Sequence, residues 1–283
     1  QITMDVLRAG KHVYTEWPLG ATVKEVEDMA GLARDKGLHT MVGLQGRASP
    51  VYLRMKELIE EGYVGEVVSC HLTSLGSGVL TRVSGRTWQR DVMLGANTLT
   101  ISFGHLIDAL CMCVGEFSEV SAVVSTRVKQ WHESDTGRDV DVTSPDNILV
   151  NGTLESGAVV SAHVGSIPWH GSSVRLEVYG RDGTLVIESP GSPQTGSSRL
   201  MGGKPDDSGL RELPIPSSLS QVPDTVPEGP PFNVAQMWGR FADAIYGGKT
   251  VEPDFDTAVR RHSLLETIER ASGTGLRQNI PSS

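Results

Sequence analysis

The stretch Arg86-Thr-Trp-Gln-Arg-Asp-Val-Met-Leu-Gly-Ala-Asn-Thr-Leu-Thr-Ile-Ser-Phe-Gly-His-Leu-Ile-Asp108, which continues to Gly115, decides how the fold is interpreted. Its second half predicts a helix, because its large apolar residues recur at steps of three and four and form one stripe: Leu99, Phe103, Leu106, Ile107 and Leu110. His105 and Asp108 are three residues apart and therefore neighbours on that helix. We expect the carboxylate to hold and tune the imidazole.

Trp88 and Arg90 lie just before this helix and supply an aromatic plate and a fixed cation. Together with the imidazole and the carboxylate they are the ingredients of a small-molecule pocket. We predict that His105 is the general acid or base, that Asp108 fixes its tautomer and that Arg90 stabilises an oxyanion. The alternative for His105 is a buried side chain that Asp108 hydrogen-bonds without any catalytic role.

Length and composition restrict the class of protein. The 283 residues carry 25 Lys and Arg against 34 Asp and Glu, a net charge of -9 without a basic cluster, so we expect no nucleic-acid partner and no membrane association. No apolar run approaches membrane-spanning length. The three cysteines lie among apolar residues without zinc or redox spacing, which predicts a reducing, cytoplasmic location: Cys70, Cys111 and Cys113. No two histidines and an acid have the spacing of helical metal ligands, so we expect no metal.

The hydrophobic pattern divides the chain into residues 1–64 and 65–283. The first part alternates strands and helices, as a parallel sheet does, and Thr22 is expected to cap its main helix. The second part contains successive strands without helices between them, which predicts a large, mostly antiparallel open sheet flanked by helices. Within it, residues 189–231 are rich in Ser, Pro and Gly and are expected to form an irregular surface excursion. Asp256 is expected to cap the last helix.

Further site residues follow from their positions in this pattern. Gln45 and Arg47 come after the second strand, at the edge of a parallel sheet where ligands bind. We expect a largely apolar substrate to be held by side chains from both parts of the chain: Glu16, Trp17, Gln45, Arg47, Trp88, His163 and Trp169. For Glu16, a hydrogen bond to a backbone group at a strand end is as good an explanation as a substrate contact. For Arg47 the alternative to a substrate contact is an exposed ion pair.

Several motifs resemble the Gfo/Idh/MocA oxidoreductase family over nearly the whole chain, apart from the excursion: Ala9-Gly-Lys-His-Val-Tyr-Thr-Glu-Trp-Pro-Leu19, Trp88-Gln-Arg90, His105-Leu-Ile-Asp108, Phe241-Ala-Asp-Ala-Ile245 and Ala271-Ser-Gly-Thr-Gly275. Within the family, the motifs around Glu16, Phe103 and His262 are most similar to its fungal galactose/lactose-regulator branch, which suggests a fungal source. The resemblance implies a Rossmann-like nucleotide-binding part, then a sheet domain through which two copies pair face to face. We therefore expect a homodimer.

Three departures from this family bear on function. The sequence starts beyond the family's Gly-rich phosphate-binding turn, and no G-x-G-x-x-G occurs in it, so we expect residues 1–64 to be a truncated Rossmann-like remnant. The resemblance places the family's reacting-oxygen Lys at Trp17 and its Asp at Ile101, four residues before His105. We therefore expect no cofactor, with NAD or NADP as the alternative.

Three functions are compatible with these observations. The favoured hypothesis is a cofactor-independent enzyme that binds an apolar small molecule and catalyses a cyclisation, isomerisation or elimination, in which shape alone can do much of the work. The first alternative is an NAD(P)-dependent oxidoreductase without its first segment. The second is a regulator that binds a partner protein, as the resemblance to the galactose-regulator branch implies.

Overall fold

The computed structural model describes residues 1–192 and 198–281. Its helices are α1 (Ile2–Arg8), α2 (Val23–Asp35), α3 (Pro50–Glu60), α4 (Gly104–Val114), α5 (Pro230–Gly247) and α6 (Phe255–Thr274). Its strands are β1 (Val13–Glu16), β2 (Thr40–Gly43), β3 (Val67–Ser77), β4 (Thr81–Arg82), β5 (Phe117–Ser125), β6 (Gln130–Glu133), β7 (Asp139–Asp141), β8 (Asn147–Leu154), β9 (Val159–Ile167), β10 (Val174–Gly180), β11 (Thr184–Ser189), β12 (Arg199–Gly203), β13 (Arg211–Glu212) and β14 (Gln278–Asn279).

The first part of the chain is built on β1 and β2, which pair in parallel from Val13 opposite Thr40 to Glu16 opposite Gly43. The predicted parallel arrangement is therefore confirmed. Thr22 caps α2 as expected, because its side chain accepts a hydrogen bond from the backbone N–H of Glu25. Both strands end at the same edge, so the side chains that follow them face the second part of the chain.

The second part contains a nine-stranded sheet in the order β13-β12-β11-β10-β3-β9-β8-β5-β14 among the described residues. Neighbouring strands are antiparallel except for β3 and β9, which confirms the mostly antiparallel prediction. One face is buried against the helices, because alternate residues of β9 such as Val160, Ala162 and Val164 join a core that includes Leu106 of α4 and Leu264 of α6.

The opposite face of this sheet, here called the outer face, points away from those helices. One row of residues crosses it through the strand pairings: Val123, Leu149, His163, Thr73, Arg175, Glu188 and Arg199. Val123 and Leu149 are exposed and stand directly opposite each other. The outer face therefore combines apolar side chains at one end with charged side chains at the other.

A third sheet was not predicted from the sequence. Strands β4, β6 and β7 form it, and a 3₁₀ segment from Ser84 to Arg90 follows β4. The chain then makes a π-helical turn, Leu99–Phe103, and enters α4 at Gly104. The wider π turn accommodates one residue more than an α-turn does, and such turns are frequent at functional sites.

Two expectations about the later part of the chain were wrong. Residues 189–231 are not irregular throughout, because β12 and β13 extend the large sheet and Leu200 is completely buried; residues 193–197 lie outside the described residues. A short apolar strand between polar segments leaves little periodicity to recognise. The cap of α6 is Asp254 instead of Asp256, since its carboxylate accepts from the backbone N–H of Thr257 at 2.8 Å. No described helix is long and apolar enough to cross a membrane.

Candidate functional site

Trp17 lies at the junction of the two parts of the chain and is only 5% exposed. Its indole N–H donates to the backbone carbonyl of Thr100 in the π turn, at 2.7 Å. The ring also contacts His262 of α6, with centroids 4.6 Å apart and planes tilted by 52°. Trp17 therefore bonds β1 to the helix that carries His105, and its one hydrogen-bond donor is fully used.

Gly104 makes the close approach of this indole possible. A Cβ atom at Gly104 would lie 2.7 Å from Nε1 of Trp17, which is closer than real Cβ contacts come. Glycine therefore sits at the first position of α4 for reasons of space, although it is a poor helix former. The Trp17 ring, which we expected to contact a substrate, is instead packed between the two parts of the chain.

The expected bond between His105 and Asp108 does not form. Nδ1 of His105 is buried without a hydrogen-bond partner among the described residues. Burial lowers the pKa of His105 to about 4, and the nearby charge of Asp108 offsets this only in part. The imidazole is therefore neutral at physiological pH, and the prediction that Asp108 fixes its tautomer was wrong.

Asp108 instead forms the centre of a buried ion network. Its carboxylate, 1% exposed, accepts two hydrogen bonds from the guanidinium of Arg47, both at 2.9 Å, and faces Nε of Arg261 at 3.2 Å. Arg47 also pairs with Glu252, and Arg261 with Glu116. Two guanidinium groups bind the same carboxylate more strongly than a neutral imidazole does. The three-residue spacing of His105 and Asp108 on one helix therefore did not predict the partner of Asp108.

The groups at the carboxyl ends of β1 and β2 are also engaged. Gln45 donates from Nε2 to Oε2 of Glu16 at 3.1 Å, and a Cβ at Gly43 would lie 2.8 Å from that same oxygen. Hydride transfer to a nicotinamide needs an acid or base that exchanges a proton with the oxygen of the substrate. Trp17 has no titratable side chain and its indole N–H is bonded to Thr100, so it does not supply that group.

The remaining predicted residues lie elsewhere. Arg90 donates from Nη1 to the backbone carbonyl of Asp141 at 3.0 Å and fastens the 3₁₀ segment to β7. His163 lies on the outer face of the large sheet, opposite Thr73. Trp88 is half exposed and Trp169 is 70% exposed. Of the expected substrate contacts, the structure thus brings Glu16 to Gln45 and Arg47 to Asp108, but not Arg90, His163 or Trp169 to His105.

A small cavity of about 150 Å³ lies on the far side of the π turn and was not predicted. We call it the arginine pocket; its lining includes Arg82, Arg86, Gln89, Asn97, Ser102 and Trp131. Ile101, the residue at the position of the family's Asp, faces it as well. No sequence pattern indicated this cavity, because β4 and β6 come together only through the unpredicted third sheet.

The largest cavity found among the described residues, about 760 Å³, is a groove on the outer face. Its charged side chains already pair with one another: Arg175 bonds Glu177 and also contacts Glu188. His71 bonds Ser161 and Thr73 through its two ring nitrogens. The charged side chains that line this groove are therefore paired with one another. No described group of three or more His, Cys, Asp or Glu residues is placed to hold a metal ion.

Comparison with known proteins supports the scaffold that this geometry indicates. Residues 50–189 match the family profile described as Gal80p, C-terminal domain. The galactose/lactose metabolism regulatory protein GAL80 of Kluyveromyces lactis is 32% identical over 191 residues, which cover 63% of this chain and 42% of that protein. The dehydrogenase aclE of Aspergillus oryzae is 30% identical over 196 residues, covering 67% and 54% respectively.

The chain spans about half the length of these two relatives. Among solved structures, levoglucosan dehydrogenase in complex with NADH and L-sorbose superposes with a TM-score of 0.85 at 24% identity, covering the whole of this chain and 76% of that one. At this identity the likeness shows the fold alone. The proteins to which this chain is similar thus include one that is named a regulatory protein and others that are named dehydrogenases.

Proposed function

The chain belongs to the Gfo/Idh/MocA oxidoreductase family, with a domain of the Gal80p C-terminal type, and from this premise we propose that it binds a small molecule and acts as a regulator rather than as a dehydrogenase. The carrying observation is the buried position of Trp17. An indole whose N–H is bonded to Thr100 cannot donate a proton to a reacting oxygen. Trp17, which stands at the position of the family's Lys, therefore joins the two parts of the chain and supplies no acid at that position.

His105 supports the same proposal. General acid–base catalysis is efficient when the pKa of the group lies near the working pH. Burial lowers the pKa of His105 to about 4, and Arg47 and Arg261 hold the carboxylate that was expected to raise it. A neutral, buried imidazole without this partner is a poor proton relay.

The names of two relatives support a regulatory function for a chain that has Trp17 in place of the family's Lys. One of them is named a galactose/lactose metabolism regulatory protein and the other a dehydrogenase, so the scaffold serves both roles. A binding protein keeps the fold and a ligand cavity but has no need of a proton donor. We propose that this chain follows that course, with the arginine pocket as its ligand cavity.

Turnover measurements test the proposal. We expect the purified chain, mixed with NAD or NADP and a panel of sugars and polyols, to form no NADH or NADPH above the buffer rate. The matched variants are His105→Ala and the exposed-site control Trp169→Ala. Saturable turnover that survives in Trp169→Ala and disappears in His105→Ala would contradict the regulator and restore an oxidoreductase.

The cofactor-independent reaction suggested by the sequence is the second candidate. One observation favours it: Nδ1 of His105 has no hydrogen-bond partner among the described residues, so it is not engaged by the fold. The same pair of variants tests it, with loss of a candidate substrate as the readout. Consumption of a substrate without NADH or NADPH formation, abolished in His105→Ala, would establish this reaction in place of a purely regulatory role.

We also propose that a second copy of the chain covers the outer face. Val123, Leu149, Val159 and Tyr179 are exposed there, and Val123 and Leu149 form a cross-strand pair near the β14 end of the sheet. Contiguous exposed apolar side chains on a sheet mark an interaction surface. Because the same surface is present on both copies, a two-fold arrangement satisfies it.

Light scattering after size-exclusion chromatography tests this pairing. We expect a dimer for the wild type and a monomer for the double variant Val123→Lys, Leu149→Lys, because each copy would bury two lysines without partners in the interface. The control is Ile2→Lys, which changes an exposed apolar residue of α1, away from the sheet. A wild-type monomer at all concentrations, or a dimer in the double variant, would reject the outer face as the interface.

A further inference from the structure

The arginine pocket contains two cations that no carboxylate neutralises. Among the described residues neither Arg82 nor Arg86 has an ion-pair partner, and none of the lining residues is acidic. The acid nearest in the strand pairing, Glu133 opposite Arg82, is already bonded to Thr87, Thr136 and Arg138. Arg82 is partly buried, so its unpaired charge raises the free energy of the pocket unless an anion joins it, and the exposed Arg86 adds a second positive charge beside it.

Two hydrogen-bond donors in this pocket are buried and unused. The indole N–H of Trp131, a residue that is 5% exposed, has no partner among the described residues, and neither has Nε of Arg82. The guanidinium of Arg82 stacks on the Trp131 ring at 4.3 Å. This cation–π contact holds the charge of Arg82 beside the indole. A buried unsatisfied donor is costly, which indicates a missing acceptor.

The size of the cavity limits the ligand. A volume of about 150 Å³ is roughly that of five liquid waters and lies below the range of about 300–1,000 Å³ that is usual for whole small-molecule ligands. It accommodates a single carboxylate or phosphate group with a few attached atoms. Burial and the charge of Arg86 lower the pKa of Arg82, as expected for a cation that lacks its counter-charge.

We propose that the arginine pocket binds the carboxylate or phosphate group of a small organic ligand, held by Arg82, Arg86 and the indole N–H of Trp131. Arginine forms two parallel bonds to either group, and the indole supplies a third donor. The rest of the ligand extends past the exposed Ser102 toward solvent. This inference rests on the proposed ligand-binding function.

Calorimetric titration of the full chain tests this proposal at constant ionic strength, because screening alone changes with salt. The probes are inorganic phosphate, D-gluconate and neutral D-glucose. We expect saturable binding of at least one anion and none of glucose; the tighter anion identifies phosphate or carboxylate as the natural group. Absence of saturable binding for both anions would overturn the proposal, and it would leave the NADH and NADPH measurements unaffected.

Variants separate the pocket from general charge effects. Arg82→Gln and Arg86→Gln are each expected to weaken anion binding about tenfold or more, whereas Arg127→Gln, at an exposed arginine outside the pocket lining, is expected to leave it unchanged. Equal affinities in all three variants would overturn the proposal.

The variant Trp131→Phe distinguishes a role of Trp131 in anion binding from a role in packing alone, because affinity and stability are measured separately. It keeps the stacking surface but removes the unused donor. We expect its thermal stability without ligand to equal or exceed that of the wild type, because a buried unsatisfied group is lost, while its anion affinity falls. Unchanged affinity in a folded Trp131→Phe variant would remove Trp131 from the site.

Discussion

Replacing Asp108 with Asn is expected to lower the free energy of unfolding by about 3–5 kcal/mol, because removal of one partner leaves buried charge uncompensated. The carboxylate is shared by Arg47 and Arg261, and Arg261 is itself 1% exposed. Asn has the same shape but offers one acceptor oxygen and no charge. Such a loss is a large part of the total of about 5–15 kcal/mol that stabilises a typical domain.

Urea unfolding followed by far-UV circular dichroism measures this change. The matched control is Asp5→Asn, which breaks the exposed pair with Arg8 and is expected to cost less than about 1 kcal/mol. Equal midpoints for the two variants would show that the network around Asp108 does not stabilise the fold.

Replacing Trp17 with Ala is expected to cost about 3–5 kcal/mol, as loss of a buried Trp side chain does. The change removes the contact with His262 and the bond to Thr100, and it leaves a cavity at the junction. Trp169→Ala, at a side chain that is 70% exposed, is the control and should change stability by less than about 0.5 kcal/mol.

A double-mutant cycle with Gly104 establishes that the two residues act together. Alone, Gly104→Ala places a Cβ against the indole and is expected to destabilise the fold by about 1–3 kcal/mol. In the Trp17→Ala background the clash is gone, and Ala should be favoured over Gly by up to about 1 kcal/mol because it is the better helix former. Additive effects of the two substitutions would contradict the close packing of Trp17 against Gly104.

The periodicity of the sequence was sufficient for most of the fold. The parallel pair of β1 and β2 and the mostly antiparallel large sheet were predicted because their side-chain patterns reflect burial on one or two faces. The third sheet was missed because β4 has two residues and β7 three, too few for any period to appear. The π turn was missed because its sequence continues the apolar stripe of α4.

The candidate site was less predictable, because its contacts join residues that are distant in sequence. Spacing on one helix suggested that Asp108 would bond His105, yet Arg47 and Arg261 approach it from other elements. Trp17 was predicted as a substrate contact, and no local pattern reveals that its ring would be buried against Gly104. Competition among partners is a tertiary property, and a single sequence does not record it.

The π turn Leu99–Phe103 sets the rotation of the preceding chain relative to α4. Each residue of an α-helix advances the chain by about 100° around the axis, so removal of one residue from the turn would rotate everything before it relative to α4. His105 and the carbonyl of Thr100 that receives the indole would then no longer share their present alignment. A one-codon deletion in the turn would thus move the acceptor of the indole away from Trp17, whereas His105 would keep its place on α4.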